Sequence, residues 1–343
     1  MTIPGISRTC IYVAAGRAIG AREPDPTVRN PDDLAERLLG DASLFEVDHP
    51  TVRALGKPYE EAMSDAEVVN TVRMMMIRTR FIDAALERAV GAGARQLVVL
   101  GAGFDSHAYR CRELLKDLRV FEVDRAVTQA LKRERVLAAI GAVPPNLTYV
   151  SIDFQHEDLD EVLVRHGCDR TQRTFFIMEG VTMYVPEEGV RRTLHVVGQH
   201  PPGSGIVFDF VPRAMVDMIA RIDMNNIPAA AKPFVQRFLD LTRDEPWIFG
   251  IPLGTERELV GEFGMDLQEV MAIGGPDSIA RYLTKADGTV VGAKTIAEAM
   301  ARAAAQAAKD GGPSPTQPQM TPERIREQQR QMAYQLAEAV VLG

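Results

Sequence analysis

Apolar positions along this chain change their period near residue 94. Before that point they recur every three to four residues, the spacing that lines one face of a helix. Ser7 can cap a segment through Ile19, Asp32 and Asp33 precede Leu34, Leu38 and Leu39, and Asp65 opens a longer segment through Val90. In that longer segment Val68, Val69, Val72, Met75, Met76, Ile82, Leu86 and Val90 form one stripe. The methionine run Met74 to Met76 therefore predicts core or cofactor-pocket wall rather than a metal site. After residue 94 the pattern becomes short apolar strands alternating with helices: Gln96–Leu100, Val120–Val123, Leu147–Ile152, Thr174–Met178 and Gly205–Phe210 are the strands. Helices are predicted over Val127–Ile140 and from Pro186 through Val197, and Pro144-Pro145 breaks the chain before the third strand. This series predicts an α/β fold with a parallel sheet and right-handed crossovers.

Residues 213–250 return to helical spacing, with Met215, Met218, Ile219 and Ile222, then Phe234, Phe238 and Leu241. They separate the fifth strand from a late βαβ-like stretch, Glu256–Val291, and read as an inserted lid. An Ala-rich helix (Thr295–Lys309), a linker (Gly311–Pro318) and a last helix (Pro322–Val341) follow. The last helix carries Ile325, Met332, Leu336 and Val340, a stripe that would dock on a neighbouring subunit or stay loose. The expected organisation is a helical cap (1–90), a Rossmann-like core (91–212), a lid (213–252), the end of the core sheet (253–293) and a C-terminal section (294–343). No internal repeat is visible.

Composition narrows the classes. A chain of 343 residues with 46% hydrophobic content can bury a large core. The net charge of −8 argues against nucleic acid as the main partner. Cys10, Cys111 and Cys168 show no metal-ligand spacing, so reduced thiols and a cytoplasmic setting are expected, with no metal. No apolar run approaches the ~20 residues of a membrane span. Residues 1–5 lack the basic and apolar regions of a secretory signal.

The candidate chemistry begins where the first strand runs into Gly101-Ala102-Gly103 and the second ends on Asp124. A glycine turn followed about twenty residues later by an acid is the layout of an adenosine site at a sheet's switch point. A dinucleotide fingerprint wants a third glycine, where Ser106 stands, and Asp105 inside the turn would repel a pyrophosphate. A ligand with positive charge, such as S-adenosylmethionine (SAM), suits it better; from the turn alone both ligands remain open. Four acids fall just after successive strands: Asp105, Asp124, Asp153 and Glu179. Each can cap a helix, but four on one rim would repel unless something positive lies among them. Asp124, and with it Glu122 on the same face of the strand, would hold ribose hydroxyls, Asp153 and Phe154 would meet adenine, and Glu179 would meet an ammonium. Arg78 and Arg80 are the candidates for the ligand's carboxylate.

Together these blocks resemble the leucine carboxyl methyltransferase family of class I SAM-dependent methyltransferases, in particular its bacterial O-methyltransferase branch that includes polyketide-tailoring enzymes. The similar blocks are Ser7-Arg8-Thr9 with Arg17-Ala18, Arg78-Thr79-Arg80-Phe81-Ile82-Asp83, Leu100–Asp105 through Tyr109-Arg110, Phe121-Glu122-Val123-Asp124, Asp153-Phe154, and Glu179–Pro186. They span about residues 5–290. The resemblance implies a Rossmann-like, mostly parallel, seven-stranded sheet. It also implies Arg80 at the SAM carboxylate, Gly101 and Gly103 along the methionine part, Asp105 in the turn, Asp124 at ribose, Asp153 and Phe154 at adenine, and Glu179 at the amino group. Where the family usually has an arginine, this chain has His107, and Asn30-Pro31 replaces an Asp-Pro.

The expected reaction is in-line transfer of a methyl group to a carboxylate or hydroxyl of a small, largely apolar, secondary-metabolite-like acceptor, leaving S-adenosylhomocysteine (SAH). A carboxylate needs no general base; a phenol would be helped by one, and His107, His195 and His200 are conceivable. Met215, Met218, Ile222, Phe234, Phe238, Trp247 and Phe249 are the expected acceptor-pocket lining. The rival readings are a protein C-terminal carboxyl methyltransferase and a non-catalytic SAM-binding scaffold; a nicotinamide oxidoreductase recedes. The chain is expected as a monomer, or as a homodimer through its C-terminal helix.

Overall fold

The computed structural model describes residues 6–153, 156–227, 231–309 and 333–343. Its centre is a seven-stranded sheet: β1 (Gln96–Leu100), β2 (Arg119–Asp124), β3 (Leu147–Ser151), β4 (Thr174–Met178), β5 (Gly205–Phe210), β6 (Met265–Ala272) and β7 (Gln335–Val341), in the order β3-β2-β1-β4-β5-β7-β6. The first five strands pair in parallel, and β7 is antiparallel to both neighbours. Every residue of β1, β4 and β5 is buried. That accounts for their largely apolar composition, Gln96, Thr174 and Asp209 apart, because a parallel sheet is covered on both faces. Strand order reverses between β1 and β4, so the C-terminal ends of β1 and its neighbours open a crevice there.

One face is covered by the 26-residue helix Ala66–Gly91 and the helix Arg8–Gly20 that lies on it. Asp65 caps the long helix by accepting from Glu67 N, and Ser7 caps the N-terminal one through Cys10 N. The two helices approach closely at Gly16, where a Cβ would stand 2.8 Å from the Thr71 methyl. Val68, Val72, Met76, Ile82 and Leu86 of the predicted stripe are buried in this core. A second apolar layer, with Val190, Leu194 and Val197 of the helix Glu187–Gly198, covers the other face. Segment 213–250 holds two helices, Arg213–Ala220 and Lys232–Leu241, after β5. Among the described residues no helix is long and apolar enough to cross a membrane.

The predicted last helix, Pro322–Val341, does not form over its final turns: Gln335–Val341 is β7, slotted between β5 and β6. Leu336 and Val340 fit a helical stripe, but Gln335 to Ala339 are all buried, which a helix exposing one face would not give. The ladders on both sides outweigh the helix preference of Leu, Ala and Glu. Ile325, Met332 and the linker 311–318 lie outside the described residues.

Candidate active site

β1 ends in a backbone that only glycine adopts readily. Gly101 has φ +63° and Gly103 φ +38°. A Cβ on Gly101 would come within 2.5 Å of Val181 Cγ2, and one on Gly103 within 2.9 Å of Cys10 Sγ. Asp124, at the end of β2, accepts from Gly103 N at 2.6 Å and from Arg125 N at 2.7 Å. The turn and the acid are thus fixed against one another, both facing the crevice.

The opposite wall is an ion cluster. Arg78 Nη2 lies 2.6 Å from Glu179 Oε1, and its Nη1 2.9 Å from Asp209 Oδ2. Asp209 Oδ1 accepts from Gly180 N at 2.7 Å, which sets the turn carrying Glu179. Arg17 lies 3.0 Å from Asp32 and 3.5 Å from Glu179, and it donates to Phe104 O at 2.7 Å. Arg17, Arg78, Asp32 and Asp209 are buried.

Between these walls lies a cavity of about 330 Å³, at the low end of the ~300–1,000 Å³ usual for small-molecule sites. Of the predicted residues, Gly101, Gly103, Asp105, Asp124 and Glu179 line it. So do Arg17, Arg78 and Cys10, and, farther along, Tyr12, Met183, Tyr184, Glu245 and Tyr334. Burial pushes the Cys10 thiol up to about 11, so it stays neutral.

Other predicted residues stand elsewhere. Arg80 is not in the cavity: its Nη1 donates to Arg29 O at 3.1 Å. Two residues along a helix turn the side chain by ~200°, so Arg78 and Arg80 cannot face one site. Glu122 lies one pleat behind Asp124, fully buried beneath the turn. It accepts from Lys132 Nζ and Tyr109 OH, each at 2.8 Å, and Lys132 also donates to Ala102 O at 3.2 Å. Burial, only partly offset by Lys132, pushes the Glu122 carboxyl up to about 7. Glu122 therefore braces the turn from below rather than lining the cavity.

The Asp153 side chain is 58% exposed and paired with His156 outside the cavity, and Phe154 lies outside the described residues. The expected apolar pocket lining is also displaced. Phe234 and Met218 are 56% and 43% exposed. Trp247 is buried behind the cavity with Met215 and Phe238 packed around it, Phe249 sits in the core, and Ile222 is half-buried off the cavity. Trp247 supports the cavity indirectly, its ring 5.3 Å from that of Tyr334.

His107 is buried behind Asp105 and does not line the cavity. Its Nδ1 is 2.6 Å from Asp105 Oδ2 and its Nε2 3.0 Å from Asp83 Oδ1. Arg110 donates to both oxygens of Asp83. Two carboxylate partners require both ring nitrogens to donate. Burial opposes that charge, but Asp105 outweighs it, and the imidazole is pushed up to about 9. A cation already hydrogen-bonded at both nitrogens is no general base; it orients Asp105. His195 and His200 lie away from the cavity, His195 beside Phe263 and His200 beside Phe176.

Comparison with known proteins decides the family. The sequence profile of the family described as leucine carboxyl methyltransferase matches residues 10–198, more than half of the chain and most of the cavity wall. The chain belongs to the leucine carboxyl methyltransferase family. YktD of Bacillus subtilis (strain 168), named as an S-adenosyl-L-methionine-dependent methyltransferase, is 29% identical over 61% of this chain and 72% of its own length. A similarly named protein of Mycobacterium bovis (strain BCG / Pasteur 1173P2) is 33% identical over 60% of this chain and 66% of its own. A methyltransferase structure from Thermobifida fusca YX covers 95% of this chain and 98% of its own at 15% identity, with a TM-score of 0.48. This family member is a SAM-dependent methyltransferase built on a class I sheet. The cavity fits that cofactor. Asp105, Asp124 and Glu179 are carboxylates suited to hydroxyls and positive charge, Arg17 and Arg78 suit a carboxylate, and the turn lacks the third glycine of a pyrophosphate cradle.

Arg17, Cys10, Tyr12 and Tyr334 were not legible as site residues. Arg17 had a signal, since its block belongs to the family resemblance; Tyr12 and Tyr334 had none, because they come from opposite ends of the chain.

Proposed function

We propose that this enzyme transfers the SAM methyl group to an oxygen, carboxylate or hydroxyl, of a small, largely apolar, secondary-metabolite-like acceptor. The observation that carries this reading is the far half of the cavity. Tyr12, Met74, Met183, Tyr184 and Tyr334 line it with the single carboxylate Glu245, and the nearby cations Arg17 and Arg78 are already ion-paired. A peptide tail would need an open groove of polar partners; a compact aromatic wall fits a small flat molecule better.

When bound, SAM supplies an activated methyl group, and the protein's task is alignment and exclusion of water. Asp124 would take the ribose hydroxyls. Glu179 would meet the ammonium of the methionine part, and Arg78 with Arg17 its carboxylate. Asp105, held ionised by His107, would add negative potential along the turn. An acceptor oxygen that arrives as an anion gains its methyl group without releasing a proton, so no general base is needed. Tritium-labelled SAM offered with small aromatic and aliphatic acids, phenols, and a peptide ending in leucine tests the reading. Label in a small acid or phenol supports it; label in the peptide alone overturns it.

A further inference from the structure

The three tyrosines on the far side of the cavity are not equivalent. Tyr12 and Tyr334 line it as half-buried side chains, and neither hydroxyl makes a hydrogen bond among the described residues. Their rings are held from behind. The Tyr12 ring lies 4.9 Å from that of His49, and Tyr334 meets Trp247 edge-on at 90°. Trp247 is in turn held edge-on by Phe238 at 5.0 Å. The two phenols come from the N-terminal helix and from the residue before β7, and they face the same space beside Arg78. Tyr184 lines the same cavity.

Here two hydroxyls on braced rings have no hydrogen-bond partner among the described residues, and both side chains line the cavity that the donor-side acids also line. We propose that Tyr12 and Tyr334 are the acceptor-binding residues, their hydroxyls donating to the oxygen that is to be methylated and selecting acceptors that carry it as an anion. This inference rests on the function proposed above and deepens it. Of the charged groups lining the same cavity, Arg78 is neutralised by Glu179 and Asp209, and Glu245 takes a hydrogen bond from Ser7. Burial raises both phenols far from ionisation, so each keeps its proton and has it to give. A hydrogen bond from a neutral donor to an anionic oxygen is among the stronger ones available, and it fixes position without a buried countercharge.

The test uses the whole protein loaded with SAH, and 4-nitrophenol as the probe. The phenolate form of the probe is read by its visible absorbance. Neutral 4-nitroaniline, of almost the same shape, is the comparison. Tyr12→Phe, Tyr334→Phe and the double variant keep the braced rings and remove only the hydroxyls. SAH affinity, measured first by calorimetry, reports whether each variant is folded with its donor site intact. The expected result is that the enzyme binds the phenolate and lowers the probe's apparent pKa. Each single variant weakens phenolate binding by about tenfold, and the nitroaniline is affected little. Equal phenolate binding by wild type and double variant, equal loss for the nitroaniline, or absence of phenolate binding to SAH-loaded enzyme overturns the proposal. Failure of SAH to bind the wild type would instead strike the cofactor reading beneath it.

Discussion

Replacing Arg78 by methionine isolates the ion cluster behind the donor site. The guanidinium stands 2.6 Å from Glu179 and 2.9 Å from Asp209, and the three side chains are 5%, 10% and 0% exposed. Methionine fills part of the volume but leaves two carboxylates facing each other out of water, with only Arg17 at 3.5 Å from one of them. Breaking a buried pair in this way costs about 3–5 kcal/mol, a large share of the ~5–15 kcal/mol that holds a typical domain together. Equilibrium urea unfolding should show a loss of this size. Mildly acidic buffer should return part of it, because burial already raises the Asp209 carboxyl and protonation removes the repulsion. SAH affinity, read by calorimetry, should fall with it, since the Glu179–Gly180 turn is held through Asp209. The control is Arg80→Met, two residues along the same helix. Its side chain gives up one hydrogen bond to Arg29 O, worth about 0.5–1.5 kcal/mol, and should leave SAH binding unchanged. Loss of SAH binding in Arg80→Met with retention in Arg78→Met would refute the assignment of the wall to Arg78.

Three further outcomes follow from the same geometry. Asp124→Asn should weaken SAH binding on the order of 10–100-fold in calorimetry, since a charged acceptor on the rim is replaced by a neutral amide that also holds Gly103 N less firmly. Gly101→Ala should abolish SAH binding, because its Cβ would strike Val181 at 2.5 Å and the residue must keep φ +63°; Val181→Ala in the same chain should relieve the clash and leave only the backbone cost of ~1–2 kcal/mol. His107, charged in the folded state with its pKa raised to about 9 from 6.5, contributes stability that is fully present below about pH 6.5 and is lost as pH rises through about 9. Urea midpoints measured across that window should fall in wild type, and His107→Gln should flatten the slope.

The donor half of this protein was legible in its sequence because one contiguous stretch writes it. The runs at β1, β2, β4 and β5 are buried on both faces, so their composition announced them, and Gly101, Asp124 and Glu179 stand where strand ends must meet. Depth was less legible. Glu122 and Asp124 share a face, but one pleat separates a brace from a rim residue. Helix phase decided between Arg78 and Arg80, and a sequence spacing of two gives no phase until a neighbouring face is known. β7 was hidden because Leu336, Ala337, Glu338 and Ala339 prefer helix, and only the open slot between β5 and β6 overrides them. The acceptor wall was least legible: Tyr12 and Tyr334 are separated by most of the chain and meet only through the fold.

That last placement bears on how the enzyme is made. Until residues 335–341 have left the ribosome, β5 presents an unpaired edge and β6 has no partner strand, although the fragment matching the family profile, residues 10–198, is long complete. Pairing across such a sequence distance is slow, and an unpaired edge invites pairing with other chains. Nascent chains short of β7 would carry the donor-binding turn yet lack Tyr334 beside it. Synthesis therefore completes the acceptor side and closes the sheet in a single late event.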